Sequence, residues 1–310
     1  MIKCKICNQE FETDKALHAH IKKHGIYQAE YYCTHYPRFS LFHKKNIPFI
    51  NKKDYFSKEF LDIDEFLLWE QNSNPEDVRK KCVELLEKRV KQKNHLYAPS
   101  HNELKTLNLP PINIFKKHFK SYTKACKAIG LEPLLNKPMP KDFTALKEID
   151  NLEMLVDTRE QDPLPFKKTK IEKLYVGDYL IKGKEYTYTY VDRKSESDFL
   201  GTMSGGISRF KKELEKAVAL ESYLFVVIES SIDSIKKNQS RFRRKINLEY
   251  IFHNMRDLMH EYPRKIQFVF TGSREKSIEL IPKLLYHGKR LWQVDLQYYI
   301  DSKEFADSKK

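Results

Sequence analysis

Val176-Gly177-Asp178-Tyr179 and, further along, Val191-Asp192-Arg193-Lys194-Ser195-Glu196-Ser197-Asp198 are the two runs on which the reading of this chain turns. Tyr186 to Val191 alternates Tyr and Thr before reaching Val, a mix of aromatic and β-branched residues that predicts a strand. Side chains two apart in a strand share a face, so Asp192 and Lys194 are expected to project together. A strand ending at Gly177-Asp178 is expected to bring a second carboxylate beside them. From residue 151 onward, short apolar segments alternate with helical patterns, the signature of an α/β domain.

Two carboxylates and an ammonium group on neighbouring strands suit phosphodiester hydrolysis. Hard oxygen ligands from Asp178 and Asp192 are expected to hold Mg²⁺ or Mn²⁺, which activates a water and neutralises charge on the phosphate. Lys194 would position the attacking water or stabilise the transition state. In Val156-Asp157-Thr158-Arg159-Glu160, Asp157 is a candidate further ligand, direct or through water, and Glu160 a supporting acid. Unaided phosphate cleavage is so slow that several such effects must act together. Taken singly these fragments are weak, because a lone Asp-x-Lys is usually a charged surface strand.

Together they resemble the XPF family of structure-specific nucleases, whose motif is Gly-Asp, a spacer, Glu-Arg-Lys, three residues and Asp. Family members also carry the upstream Val-Asp-x-Arg-Glu and a downstream Gly-Arg element, matched here by Gly205, Gly206, Arg209 and Phe210. An apolar strand then follows, as at Leu224 to Glu229. The resemblance covers about 154–285. It implies a restriction-endonuclease-like mixed sheet flanked by helices, and a divalent-metal-dependent endodeoxyribonuclease. Asp157, Glu160, Asp178, Asp192, Arg193, Lys194 and Asp198 would be its catalytic positions, and Asp157, Asp178 and Asp192 its ligands for magnesium or manganese. By the same analogy it implies a homodimer through the nuclease domain. Two departures stand out. Asp192 occupies the position of the motif's Glu, one methylene shorter, and the tandem helix-hairpin-helix modules usual after the nuclease have no counterpart in residues 287–310.

Charge agrees with a polyanionic partner. Lysine and arginine number 57 against 43 acids, a formal charge of +14, and nucleic acid is the usual partner of such an excess. No apolar run approaches the ~20 residues of a membrane helix, and there is no signal-peptide core, so no membrane partner is expected. Cys4, Cys7, Cys33, Cys82 and Cys126 are odd in number and scattered, which argues for a reducing, cytoplasmic compartment.

Cys4 and Cys7 are followed by His20 and His24 at a spacing that suits a tetrahedral structural Zn²⁺ site, two thiolates from a strand pair and two imidazoles from one helix turn. Phe11 and Leu17 fall where such a unit needs its small core. Residues 1–25 thus resemble a Cys-Cys-His-His zinc finger. Thr13, Ala16 and Ala19 occupy its usual base-reading positions and offer no bidentate base contact, so a DNA-binding finger and a structural or protein-docking one both stay open.

Between these ends, residues 31–95 read as a mixed helical connector, with a helix opening at Asn74-Pro75. Residues 96–133 read as a helix-turn-helix-like DNA-binding module of three short helices. Ser100 to Glu103 reads as a capping box, and Ser121 as a cap. This segment carries six lysines and one acid between residues 100 and 130. Its Ala98-Pro99-Ser100, Phe119-Lys120-Ser121-Tyr122 and Ala128-Ile129-Gly130-Leu131 resemble the repeats that accompany homing endonucleases. The resemblance implies DNA contact, with Asn113, Lys116 and Lys117 as the candidates. Residues 134–150 read as a linker, 151–300 as the nuclease domain and 301–310 as a flexible tail. Arg241, Arg243 and Arg244, in a run without acids, join Arg209 as candidate phosphate contacts, and Phe242 could stack on a base. Branched-structure-specific and site-specific cleavage, in repair or recombination or in a bacteriophage setting, both fit. A catalytically inactive DNA-binding regulator is the competing class.

Overall fold

In the computed structural model, residues 2–40, 45–52, 55, 63–144, 151–183, 188–238 and 246–302 are described. The chain divides into two compact units, Met1–Val78 and Arg79–Lys310.

The first unit opens with strands β1 (Ile2–Lys3) and β2 (Glu10–Phe11), paired antiparallel. Helix α1 (Asp14–Ile21) starts where the Thr13 hydroxyl accepts a hydrogen bond from the Ala16 N–H, and it tightens into a 3₁₀ turn, Lys22–His24. Gly25, in the left-handed region at φ 75°, stops it. Helix α2 (Gln28–His35) supplies Tyr31 and Tyr32, which are buried with Leu17, Ile21, Ile47 and Tyr55. Phe11 is only partly buried against this cluster. Tyr31 also pins the turn after Cys4, its hydroxyl accepting from the Lys5 N–H at 2.9 Å. A two-residue ladder, β3 (Phe39–Ser40) with β4 (Lys45–Asn46), and helix α3 (Ile63–Gln71) follow. Helix α4 (Pro75–Lys93), within which the division falls, is capped as its sequence predicts, with Asn74 Oδ1 accepting from the Asp77 N–H at 2.9 Å.

The second unit is built on a six-stranded mixed sheet of order β10-β9-β8-β7-β5-β6. The strands are β5 (Met154–Asp157), β6 (Thr169–Glu172), β7 (Tyr179–Ile181), β8 (Thr189–Lys194), β9 (Tyr223–Ile228) and β10 (Ile266–Phe270). Strand β7 runs antiparallel to both β5 and β8, while β8, β9 and β10 are mutually parallel. All six residues of β9 are buried, which explains its unbroken apolar run, since a central parallel strand is covered on both faces. Leu224, Val226 and Ile228 pack with helices α8 (Glu196–Ser204), α9 (Ile207–Ala219) and α11 (Leu248–Glu261) through Phe199, Phe210 and Met255. Tyr223, Phe225 and Val227 face the other way, onto Ile281, Leu284 and Leu285 of α12 (Arg274–His287). This is the α/β mixed sheet with flanking helices expected from the sequence. Helices α10 (Ile232–Lys237) and α13 (Leu296–Asp301) complete it.

Three short helices precede the sheet, α5 (His101–Thr106), α6 (Ile112–Phe119) and α7 (Tyr122–Lys127). Helix α5 is sunk into the second unit. Asn102 donates to the Phe268 carbonyl at 2.7 Å, the His101 N–H donates to Asp295 at 2.8 Å, and Lys105 pairs with Asp301 and Asp233. Half of the expected capping box forms: Ser100 Oγ accepts from the Glu103 N–H, but the Glu103 carboxylate turns instead to Arg89 and His260. A charge-assisted bond to a guanidinium is stronger than a return bond to the cap's backbone N–H. Residues 134–144, read as part of a linker, are also packed. Leu134 and Leu135 join one face's core and Phe143 the other's, because each carries enough apolar surface to repay ordering the chain.

Candidate active site

Strand β8 orders the site. Its even residues, Tyr190, Asp192 and Lys194, share a face, and Lys194 Nζ lies 2.8 Å from Asp192 Oδ2 and 3.1 Å from Oδ1. Arg193 points to the other face. There its guanidinium donates to Glu160 at 2.9 Å and to Glu229 at 3.1 Å, so two carboxylates clamp one partly buried cation. These partners raise the Arg193 pKa even though burial opposes it.

Asp178 stands at the start of β7 rather than at the end of a preceding strand. The reason is Gly177, whose φ of 66° turns the chain, and whose hydrogen faces the Val191 carbonyl so closely that a Cβ would sit 2.7 Å from it. After this turn the Asp178 N–H donates to the Val191 carbonyl at 2.8 Å, and Asp178 Oδ2 accepts from the Arg193 N–H at 2.8 Å. The carboxylate is thereby held beside β8. Burial, and then the neighbouring Asp192 carboxylate, push the Asp178 pKa well above the ordinary carboxylate value. Lys194 is lowered by burial but raised more by Asp192 and Asp178, for a net upward shift.

Asp178, Asp192, Arg193, Lys194, Glu160 and Asp198 line one open cleft of about 580 Å³, together with Arg159, Asp162, Arg209 and Glu229. Asp198 sits on the first turn of α8, where Ser195 Oγ donates to its carboxylate at 2.6 Å. Arg209 enters from the start of α9. Asp157 does not line this cleft. Its Oδ1 accepts from both the N–H and the side chain of Arg159, and its Oδ2 from the Leu174 N–H at 2.6 Å. With both oxygens so engaged, Asp157 braces the turn toward Gly177. Burial raises its pKa, but these donors lower it further, for a net downward shift.

Sequence reasoning passed over Glu213 of α9, which accepts from the Gly177 N–H at 3.2 Å, and the clamping role of Glu229. The apolar run before Glu229 was a signal, since a charge closing a buried strand needs a partner. Glu213 had none.

Asp192 Oδ2 is buried and, though close to Lys194, has no aligned hydrogen-bond donor. Two neighbouring carboxylates, one buried and one partly buried, with one Asp192 oxygen lacking an aligned donor, fit a divalent cation with hard-oxygen preference.

Elsewhere, Cys4, Cys7, His20 and His24 gather their donor atoms within 4.8 Å of one another. Cys7 Sγ lies 3.1 Å from His20 Nε2, and Cys4 Sγ 3.7 Å from His24 Nε2. Such separations fit ligands around one tetrahedral ion. Burial, with His24 and Lys23 nearby, lowers the His20 pKa and favours the neutral ring that ligates.

Of the other candidates, Asn113, Lys116 and Lys117 lie on the exposed side of α6, where the Lys116 ammonium also rests on the Tyr298 ring at 4.3 Å. Arg241, Phe242, Arg243 and Arg244 fall outside the described residues. Among the described residues no helix is long and apolar enough to cross a membrane.

Residues 156–284 match the ERCC4 domain. That stretch holds the whole cleft. Among solved structures the chain is similar to XPF from Aeropyrum pernix in complex with DNA, with 21% identity and a TM-score of 0.34 over 43% of this chain and 62% of that one. It is similar also to XPF from Aeropyrum pernix, at 22% identity and a TM-score of 0.33, over 43% of this chain and 59% of that one. The chain thus spans about three fifths of the XPF chains it matches. No curated protein matches it.

Proposed function

We propose that this protein is a divalent-metal-dependent DNA endonuclease. The observation that carries the reading is the pairing of Asp178 and Asp192 with Lys194 in one open cleft inside the ERCC4-matched stretch. Asp178 and Asp192 would hold Mg²⁺ or Mn²⁺. When bound, such an ion supplies charge neutralisation at the phosphate and acidifies water. Lys194, held by Asp192, presents an ammonium to the scissile phosphate and stabilises charge as it develops. Arg193, clamped by Glu160 and Glu229, keeps the end of β8 rigid so that Asp192 stays in place. Asp198 and Arg209 border the cleft where a phosphate backbone would enter. Cys4, Cys7, His20 and His24 would hold a structural Zn²⁺, and the exposed α6 face with Asn113, Lys116 and Lys117 would grip DNA away from the cut.

The test incubates wild type and Asp192→Ala with linear, flapped and four-way DNA, in Mg²⁺, Mn²⁺ or chelator. Metal-dependent internal cutting by wild type, reduced at least a hundredfold in the variant, is expected. Binding by both proteins without cutting on any substrate would instead favour a DNA-binding regulator with an inactive nuclease fold.

A further inference from the structure

One face of α9 leads away from the cleft. Arg209, Lys212 and Lys216 recur at i, i+3 and i+7, so all three lie on one side of the helix. Arg209 lines the cleft, Lys212 is exposed, and Lys216 stands seven residues on, roughly 10 Å along the axis. Among the described residues none of the three has an acidic partner, although other lysines of the unit do. Lys211 on the next face pairs with Glu261, and Lys105 with Asp301. Glu213, on the same side of the helix, accepts from the Gly177 N–H.

At the far end stands Tyr175, 62% exposed, with the Lys216 ammonium 5.8 Å from its ring centre. Its turn is tied on both flanks, by Leu174 N–H to Asp157 at 2.6 Å and by Gly177 N–H to Glu213 at 3.2 Å. A large aromatic ring thus stands in water on a pinned turn, three residues from Asp178. It is what a stacking platform requires, since little entropy is lost when a base settles on it.

We infer that Arg209, Lys212 and Lys216 form a phosphate track for the DNA strand leaving the cleft, and that Tyr175 stacks on an unpaired base of that strand. This rests on the nuclease reading for its substrate, but binding tests it without cleavage. Anisotropy titrations in chelator, with a splayed-arm duplex and a fully paired duplex, compare full-length wild type, Tyr175→Ala, Tyr175→Phe and Lys212→Ala/Lys216→Ala. Tyr175→Ala should weaken splayed-arm binding about tenfold and leave paired-duplex binding unchanged, with Tyr175→Phe restoring it. The double lysine variant should reduce the salt slope for the splayed arm by about 1.4, two single-strand phosphates. Wild-type affinity and slope in all variants, or an equal loss on both DNAs with Tyr175→Ala, overturns the track while leaving the cutting assay untouched. Cutting that fails in wild type with the binding differences intact removes the nuclease reading alone.

Discussion

Asp178 and Asp192 are legible as residues, because carboxylates flanking an ammonium in a strand pattern have few structural uses. The bonds that the Asp157 oxygens accept from Arg159 and Leu174 are visible only in coordinates. A second buried cluster had no sequence signal at all. His95 and His260 stack with ring centres 3.5 Å apart, and Glu103 bridges His260 and Arg89. Burial, and then His260, bring the His95 pKa down to about 4. Burial would raise Glu103, yet His260 and Arg89 bring it down to about 2. Both groups therefore bind fewer protons folded than unfolded. The His95 contribution is full above about pH 6.5 and is lost as pH falls toward 4. That of Glu103 is full above about 4.5 and is lost toward 2. In urea titrations at pH 7 and pH 5, His95→Gln should shrink the acid-induced loss of stability by about 1 kcal/mol, allowing for solvent screening. An unchanged difference between the two pH values would contradict this.

Among the elements, the turn at Gly177 matters most. The strand β9, the caps of α4 and α7 and the alternation in β8 followed from local chemistry that sequence displays. The turn did not, since its conformation depends on Asp157 and Glu213, which reach it from 20 residues before and 36 after. Gly177→Ala forces a Cβ against the Val191 carbonyl in a left-handed conformation, and should cost about 1–3 kcal/mol. Because that turn also places Asp178, cutting should fall further than stability accounts for. Thermal melting alongside single-turnover rates checks this, and a destabilised variant with wild-type rates when folded would refute the link. The packing of α5 and of residues 134–144 was equally hidden. Lysine-rich composition drew attention to the outer faces of α6 and α7, while the buried contacts of His101, Asn102 and Glu103 come from polar residues that ordinarily stay outside.

At the scale of the whole molecule, the two metal sites of the proposed function fall in different compact units and differ in chemistry, thiolate and imidazole in one, carboxylate in the other. The first unit is small, and its core joins Cys4 to Leu17, Tyr31 and Tyr32. Full-length protein should therefore hold one zinc per chain, lost in Cys7→Ser, with protease sensitivity rising in residues 2–40 while the second unit stays resistant. Equal zinc in both proteins would count against the finger. The central claim, that Asp178, just before β7, and Asp192 of β8 share one divalent ion, is most directly tested by titrating Mn²⁺ into zinc-loaded protein and following free Mn²⁺ by electron paramagnetic resonance. The account predicts a bound Mn²⁺ that Mg²⁺ displaces in wild type and that Asp178→Asn/Asp192→Asn abolishes. Undiminished Mn²⁺ binding by that folded double variant would contradict it.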